Sequence, residues 1–260
     1  MNKLFSIITP TFNGADKLER CILSVKNQTY KNIEHVIVDG GSNDGTLDII
    51  LKYEKQYNLK WISEKDSGIA DAMNKGFALA SGDLLSWLDA DNYYDLNAIE
   101  LVSKIFNKNN DIDIVYGNVN ITDDFKNISR IYRPPINISL KLALAWSTGA
   151  IPPQPAVFFK QKIFKMVGGF FTNYKIAGDY DFWVRVLKEK PSVFYINEVF
   201  GNYSKNEQGA SQSIRGVIRG YQEMFFISKS NGQPLRYQIM MFAKYLRGVL
   251  VILIKRIILR

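Results

Sequence analysis

The chain has 260 residues, 47% hydrophobic and 22% charged, which is ample for one large α/β domain with an ordinary core. A single cysteine, Cys21, excludes an internal disulfide framework, and a single histidine, His35, excludes chemistry that needs paired imidazoles. The net charge of +8 favours anionic partners such as nucleotides or an acidic membrane surface, while dispersed basic residues and no recognisable motif argue against nucleic acid.

Leu4 to Thr9 reads as a buried strand stopped by Pro10, and Thr11 to Gly14 as a turn. Leu18, Cys21, Ile22 and Val25 then recur at helical spacing, so Cys21 reads as a core thiol. Ile33 to Val38 is a second strand, with His35 as a strand-edge or internally satisfied residue. The glycine-rich turn Asp39 to Thr46 leads into a helix of Leu47, Ile50 and Leu51, capped by Asp44 and Thr46. Lys60 to Ser63 is a brief third strand. Ile69, Met73, Phe77 and Ala80 mark a further helix, closed by Ser81-Gly82. An apolar run from Leu84 to Leu88 then ends abruptly in Asp89-Ala90-Asp91-Asn92.

Strand–helix alternation of this kind predicts a mostly parallel sheet flanked by helices. Ligands of open sheets bind beyond the carboxyl ends of the strands. The turns at Thr9–Asn13, Asp39–Thr46 and Asp89–Asn92 all fall at that edge, and each carries Asp or Asn. Residues i and i+2 of an extended backbone project to one side, so Asp89 and Asp91 face one small volume. Two hard oxygen donors suit Mg²⁺ or Mn²⁺, which keep open positions for phosphate oxygens.

The second half is less regular. Leu96 to Phe106 reads as helix, Ile112 to Tyr116 as strand, and Asp123 to Pro135 as a hairpin or loop. Pro152 to Pro155 is stiff, Ala156 to Phe159 is a strand, and Gln161 to Val167 is a helix ended by Gly168-Gly169. Asp179 opens a helix whose apolar face is Phe182, Trp183, Val186 and Leu187, and Val193 to Ile196 returns as a strand. Met1 to Asn13 lacks the apolar core of a secretory leader, and no stretch reaches the ~20 apolar residues of a membrane span. The tail differs. Its crowded apolar residues, with Lys244, Arg247 and Lys255 on one side, predict a basic amphipathic helix at 234–260 that lies on an anionic membrane or packs on protein.

Four ordered segments resemble the family 2 glycosyltransferases: Ser6 to Asn13, Val36 to Thr46, Asp66 to Gly76, and Leu88 to Asp91. The resemblance runs from about Leu4 to Ser213. It implies a GT-A fold in a single catalytic domain at 1–233, with a nucleotide-binding half to about residue 95 and an acceptor-side half beyond. It implies an inverting enzyme that uses a nucleotide-diphosphate sugar, most often a UDP-sugar, and Mn²⁺ or Mg²⁺. On the matching positions, Thr9, Pro10, Thr11 and Asn13 would line the nucleotide pocket, Asp39 would read the base, and Asp66 and Gly68 would close over the nucleotide. Asp89 would sit near the ribose or metal, and Asp91 would ligate the metal.

Gly178 to Arg185 resembles the segment that heads the family's acceptor-side helix, which implies Asp179 as general base with Asp181 as fallback. Without the family, Asp179 reads as a helix N-cap. Relatives often complete the metal shell with a histidine, where this chain offers Asn206. The expected setting is surface polysaccharide or lipid-linked glycan synthesis, with a glycan or lipid-linked acceptor at the cytoplasmic face of the cell membrane. Two other readings compete: a non-catalytic nucleotide-sugar-binding subunit, and a sugar-phosphate nucleotidyltransferase. The latter should carry a glycine-rich basic loop after the first strand, which Pro10 to Asp16 is not.

Overall fold

The computed structural model describes residues 2–123, 127–145, 151–204, 213–243 and 245–246. Its first half alternates strictly: β1 (Phe5–Thr11), α1 (Ala15–Lys26), β2 (Ile33–Asp39), α2 (Thr46–Tyr53), β3 (Leu59–Ser63), α3 (Ile69–Leu79) and β4 (Leu84–Trp87). β1 and β2 are buried at every position, as strands covered on both faces must be. These strands pair in parallel in the order β3-β2-β1-β4.

β1 does not stop at Pro10 but runs on to Thr11. The reason lies in the ladder. Leu88 N–H donates to the Ile8 carbonyl at 2.8 Å and Gly40 N–H to the Thr11 carbonyl at 2.9 Å, so even positions face β4 and odd ones face β2. The nitrogen of Pro10 thus points to the side of β4, which has already ended at Trp87, and no ladder bond is lost.

The second half adds β5 (Tyr93–Tyr94), α4 (Ala98–Lys108), β6 (Ile114–Thr122), β7 (Ile128–Tyr132), α5 (Leu140–Ala145), β8 (Val157–Lys160), α6 (Gln161–Val167), α7 (Gly178–Lys188), β9 (Val193–Ser204) and α8 (Ile214–Ser230). The nine-stranded sheet reads β3-β2-β1-β4-β8-β6-β9-β5, with β7 on β6. Here β8 is antiparallel to both β4 and β6, β9 is parallel to β6, and β5 is antiparallel to β9. The parallel run is therefore the N-terminal half, and the whole sheet is mixed. The segment Asp123 to Pro135 includes the return strand of a β6–β7 hairpin. The strand expected at Val193–Ile196 continues for 12 residues to Ser204.

An aromatic core fills one side of the sheet. Trp87 stacks on Trp183 at 5.7 Å and Phe170 on Phe182 at 4.6 Å, so Trp183 is a packing residue. On the other side Phe5, Phe106, Phe158 and Phe200 share a second cluster. α3 lies close on β1 because Gly76 has no side chain: a Cβ there would come within 2.4 Å of Ile8 Cγ2. Cys21 is fully buried, and burial pushes its thiol up to about 12, so it is an inert core group.

His35 is fully buried in the sheet interior, not at an edge. Its Nε2 shares a hydrogen bond with Thr9 Oγ1 at 2.8 Å and its Nδ1 with the Tyr57 hydroxyl at 2.7 Å. Burial pulls its pKa from 6.5 down to about 3. The folded state thus refuses a proton that the unfolded chain accepts. Stability from this source is complete above the unfolded pKa and falls as pH drops from about 6.5 towards 3. Asp89, raised as described below, acts with the opposite sign in the same window. The check is therefore a difference: between about pH 8 and pH 5 the wild type should lose about 2 kcal/mol more than His35→Gln in urea unfolding. Equal losses would remove the assignment.

Candidate active site

Three turns meet at the carboxyl edge of β1, β2 and β4, and backbone hydrogen bonds knit them. Asn13 adopts φ 49°, and its N–H donates to Ser42 Oγ at 2.7 Å while its Oδ1 accepts from Asn43 N–H at 3.1 Å. Asp44 accepts from Thr46 N–H and from Ala15 N–H, both at 3.1 Å, so it ties the starts of α1 and α2 together rather than serving α2 alone. The acidic turn is held from behind. Arg20 Nη2 donates to the Asp91 carbonyl at 2.6 Å and to Ser204 Oγ at 2.7 Å, and Ser204 N–H donates to Asn92 Oδ1 at 3.0 Å.

These turns line a cleft of about 970 Å³. Pro10, Thr11, Asn13, Gly68, Asp89, Asp91 and Asp179 all face it, together with Gln154, Lys175 and Tyr203. Residues more than 80 positions apart are thereby joined, since Asp179 comes from the head of α7 and the acidic pair from the end of β4. Asp179 is not the N-cap of its helix; Ala177 is, and Asp179 Oδ1 accepts from Tyr180 N–H at 2.7 Å.

The electrostatics are those of crowded carboxylates. Asp89 is half-buried, and its Oδ1 is sealed from solvent without a hydrogen-bond partner. Burial first, then the charges of Asp91 and Asp179, push it up to about 7, while the nearby Gln154 amide works the other way. Surrounding protein also raises Asp179, opposed by the Tyr180 N–H, although its surface remains open to the water of the cleft. Tyr203 is raised by burial and by all three of these acids, so it stays a neutral O–H donor facing them.

Four expected site residues lie elsewhere. Thr9 is fully buried one pleat below Thr11, its hydroxyl bonded to His35. Asp39 is fully buried and accepts from Gly41 N–H at 3.2 Å, Ser42 N–H at 3.0 Å, Ser63 Oγ at 2.6 Å and Ser42 Oγ. Those bonds fill its usual acceptor capacity. Asp66 turns inward to Gly68 N–H at 2.8 Å and lies against Gly40. Asp181 is 4% exposed and ion-paired to Arg185 Nε at 2.8 Å, so the fallback base is a structural group. Lys75 pairs with Glu64 and Asp71 and does not reach the cleft. Asn206 and Trp146 lie outside the described residues.

Sequence reasoning passed over Tyr203 and Lys175. A strand expected to end at Ile196 hid the first. Only the alternation of β9 beside β6 could have exposed it. Lys175 sits in a loop with no periodicity, and its Nζ donates to the Ser67 carbonyl at 2.7 Å across the cleft.

Among the described residues no group of three or more acidic, histidine or cysteine side chains could hold a metal. The pair Asp89 and Asp91 nevertheless fits a cation of the Mg²⁺ kind, which is commonly held by one or two carboxylates plus substrate phosphates. The unpartnered, sealed Oδ1 of Asp89 is the specific sign of fit.

The chain matches the description "Glycosyl transferase family 2" over residues 6–168. It is 34% identical over 182 residues to a glycosyltransferase of Mycobacterium tuberculosis, covering 69% of this chain and 67% of that one. It is 32% identical over 206 residues to a PGL/p-HBAD biosynthesis glycosyltransferase of Mycobacterium bovis, covering 78% and 77%. It also matches a glycosyltransferase of Rickettsia conorii at 31% identity over 80% of this chain, but spans only 35% of that protein's length. Among solved structures, Staphylococcus aureus TarS 1-349 with UDP-GlcNAc gives a TM-score of 0.70 at 18% identity, covering 94% of this chain and 71% of that one. A mannosyltransferase of Pyrobaculum calidifontis with GDP-Man and Mn²⁺ gives 0.64 at 19%, covering 94% and 70%. The nine-stranded mixed sheet with flanking helices is thus a GT-A-like domain, and the chain belongs to glycosyl transferase family 2.

Proposed function

We propose that this transferase moves a sugar, with inversion, from a nucleotide-diphosphate sugar to an acceptor hydroxyl. A UDP-sugar is the favoured donor. The observation that supports this most is the sharing of one cleft by the Asp89–Asp91 pair and Asp179. Pro10, Thr11, Asn13 and Gly68 face the nucleotide, while Asp39 and Asp66 hold the shape of its loops from inside. Asp179 takes the proton of the attacking hydroxyl. A base with a raised pKa holds that proton better, which is the direction its surroundings supply. Tyr203 and Lys175 present N–H and O–H donors to an anionic ligand. Asp91 and Asp89 would hold Mn²⁺ or Mg²⁺, whose chemistry is to neutralise charge growing on a departing diphosphate.

Donors carried by the solved neighbours, UDP-GlcNAc and GDP-Man with Mn²⁺, support this class of ligand. The relative named for PGL/p-HBAD biosynthesis supports a glycan or lipid-linked acceptor. No helix among the described residues is long and apolar enough to cross a membrane. The helical stretch 235–243 exposes Leu235, Ile239, Met240 and Phe242, which supports contact with an anionic membrane face through the tail. Lys244, Arg247 and Lys255, the basic residues expected on this helix, fall outside the described part with the last residues.

The test is nucleoside diphosphate release from a panel of UDP-, GDP- and dTDP-sugars, with and without Mn²⁺. Wild-type protein should show a Mn²⁺-dependent rate with one nucleotide class, and a rise in melting temperature with the same nucleotide. Asp91→Ala should abolish the Mn²⁺ dependence and cost at least ~100-fold in rate. Full turnover by both Asp91→Ala and Asp179→Ala would sink the assignment.

A further inference from the structure

The loop that delivers Asp179 is held by a helix far downstream. α7 begins at Gly178, and its N-cap Ala177 makes no side-chain capping bond. The N–H groups just ahead of it are instead gathered by one carboxylate, Glu223 in the middle of α8. Glu223 Oε2 accepts from Lys175 N–H at 3.1 Å, Ile176 N–H at 2.9 Å and Ala177 N–H at 2.9 Å. Its Oε1 accepts from Lys175 N–H at 3.0 Å and from Arg219 Nε at 2.8 Å. The Glu223 side chain is only 11% exposed. Burial pushes its carboxyl up, but the Lys175, Ala177 and Ile176 N–H groups and Arg219 outweigh that and keep it low.

α8 is also seated for this task. A Cβ on Gly220 would lie 3.0 Å from Ile176 Cγ2, so the glycine lets α8 approach the loop closely. The same loop reaches the other wall of the cleft, through Lys175 Nζ on the Ser67 carbonyl next to Gly68. Residues 175–177 are therefore pinned at both ends, two positions before Asp179. α8 lies wholly beyond residues 6–168, the part that carries the family match.

We propose that Glu223 is a positioning residue for Asp179. By clamping the N–H groups of 175–177 it fixes the direction in which the head of α7 presents the Asp179 carboxylate to the cleft. This rests on the reading of Asp179 as the base. Glu223 touches no substrate in this account and acts only through the geometry of the loop. A displacement near 1 Å at a reacting group can cost about 100-fold in rate, so the expected effect falls on turnover.

The experiment uses the full chain and the donor panel above, with release of the matching nucleoside diphosphate as the readout. Glu223→Leu should lower kcat by about 10- to 100-fold and change donor KM by less than kcat, since of the donor contacts only Lys175 lies on this loop. Glu223→Gln retains a carbonyl oxygen for the loop and should recover part of the loss; it also serves if the leucine variant does not fold. The deciding measurement is the Asp179→Asn background. There Glu223→Leu should cost nothing further, because the group it aims is already disabled. Unchanged kcat in folded Glu223→Leu overturns the proposal, as does unchanged kcat in Glu223→Gln where the leucine variant does not fold. So does a loss that multiplies undiminished on top of Asp179→Asn, because that marks a general structural role. If Asp179→Asn alone keeps full turnover, the reading beneath it fails, and the proposal falls with it for that separate and visible reason.

Discussion

Asp179→Asn should lower kcat by roughly 10²–10⁴-fold, the usual contribution of a positioned general base. Donor KM should change little, because the acidic pair and the nucleotide loops lie on other elements. Asparagine is close to isosteric, and its Oδ1 can still accept the Tyr180 N–H that now reaches Asp179 at 2.7 Å. The head of α7 therefore stays in place, and only the ability to take a proton is lost. The wild-type rate should fall as pH drops, since the base must be ionised and its pKa is raised, not lowered. The variant should lose that acid limb. Steady-state kinetics across pH with one donor checks both points, and a variant with wild-type kcat would remove Asp179 from the chemistry.

Arg185→Leu should destabilise the fold by about 3–5 kcal/mol, the cost of leaving a buried charge without its partner. The guanidinium makes four contacts at once. Its Nε donates to Asp181 at 2.8 Å, Nη1 to the Val167 carbonyl at 2.6 Å and Nη2 to the Gly169 carbonyl at 2.7 Å, and its face lies 4.2 Å from the Phe171 ring centroid. Removing it strands the Asp181 carboxylate, whose side chain is 6% exposed, and two carbonyls at the end of α6. The double variant Asp181→Leu/Arg185→Leu should recover much of the loss, because no lone buried charge remains. Urea unfolding of the two variants separates these outcomes. A single variant within about 1 kcal/mol of wild type would show that the pair is solvated in practice.

What could be read in advance follows from how local the signal is. The succession of strands and helices from β1 to β4, the buried Cys21 and the head of α7 rest on periodicity within a dozen residues, and the structure matches them. The cleft-facing places of Thr11, Asn13, Asp89 and Asp91 follow from chain position at the sheet's carboxyl edge, whereas that of Asp179, at the head of a helix, is implied only by the family resemblance. The inward turn of Asp39 does not, because its partners Ser42 and Ser63 come from different elements and no spacing announces them. Asp181 differs from Asp179 only in helical phase, about 200° apart at 100° per residue, which a motif of alternating acids leaves open. The strand order past β4 and the site of Tyr203 depend on pairings between residues 41 to 109 positions apart, such as Tyr116 with Val157 and Tyr93 with Asn202, and hydrophobic pattern alone carries no such information.

The placement of β9 bears on how the protein is made. Among the described residues β5 finds its sheet neighbour in β9, through Tyr93 with Asn202 and Tyr94 with Gly201, and the acidic turn just before β5 leans on Ser204. When the ribosome is still adding the intervening stretch, β1 to β4 are already made and need only each other to pair. Asp89 and Asp91 must wait on the order of ten seconds, at about 5–20 residues per second, for the strand that steadies them. The strands that carry the candidate cleft are thus complete early in the chain, while the support of its acidic turn and of the loop before Asp179 comes from residues made much later.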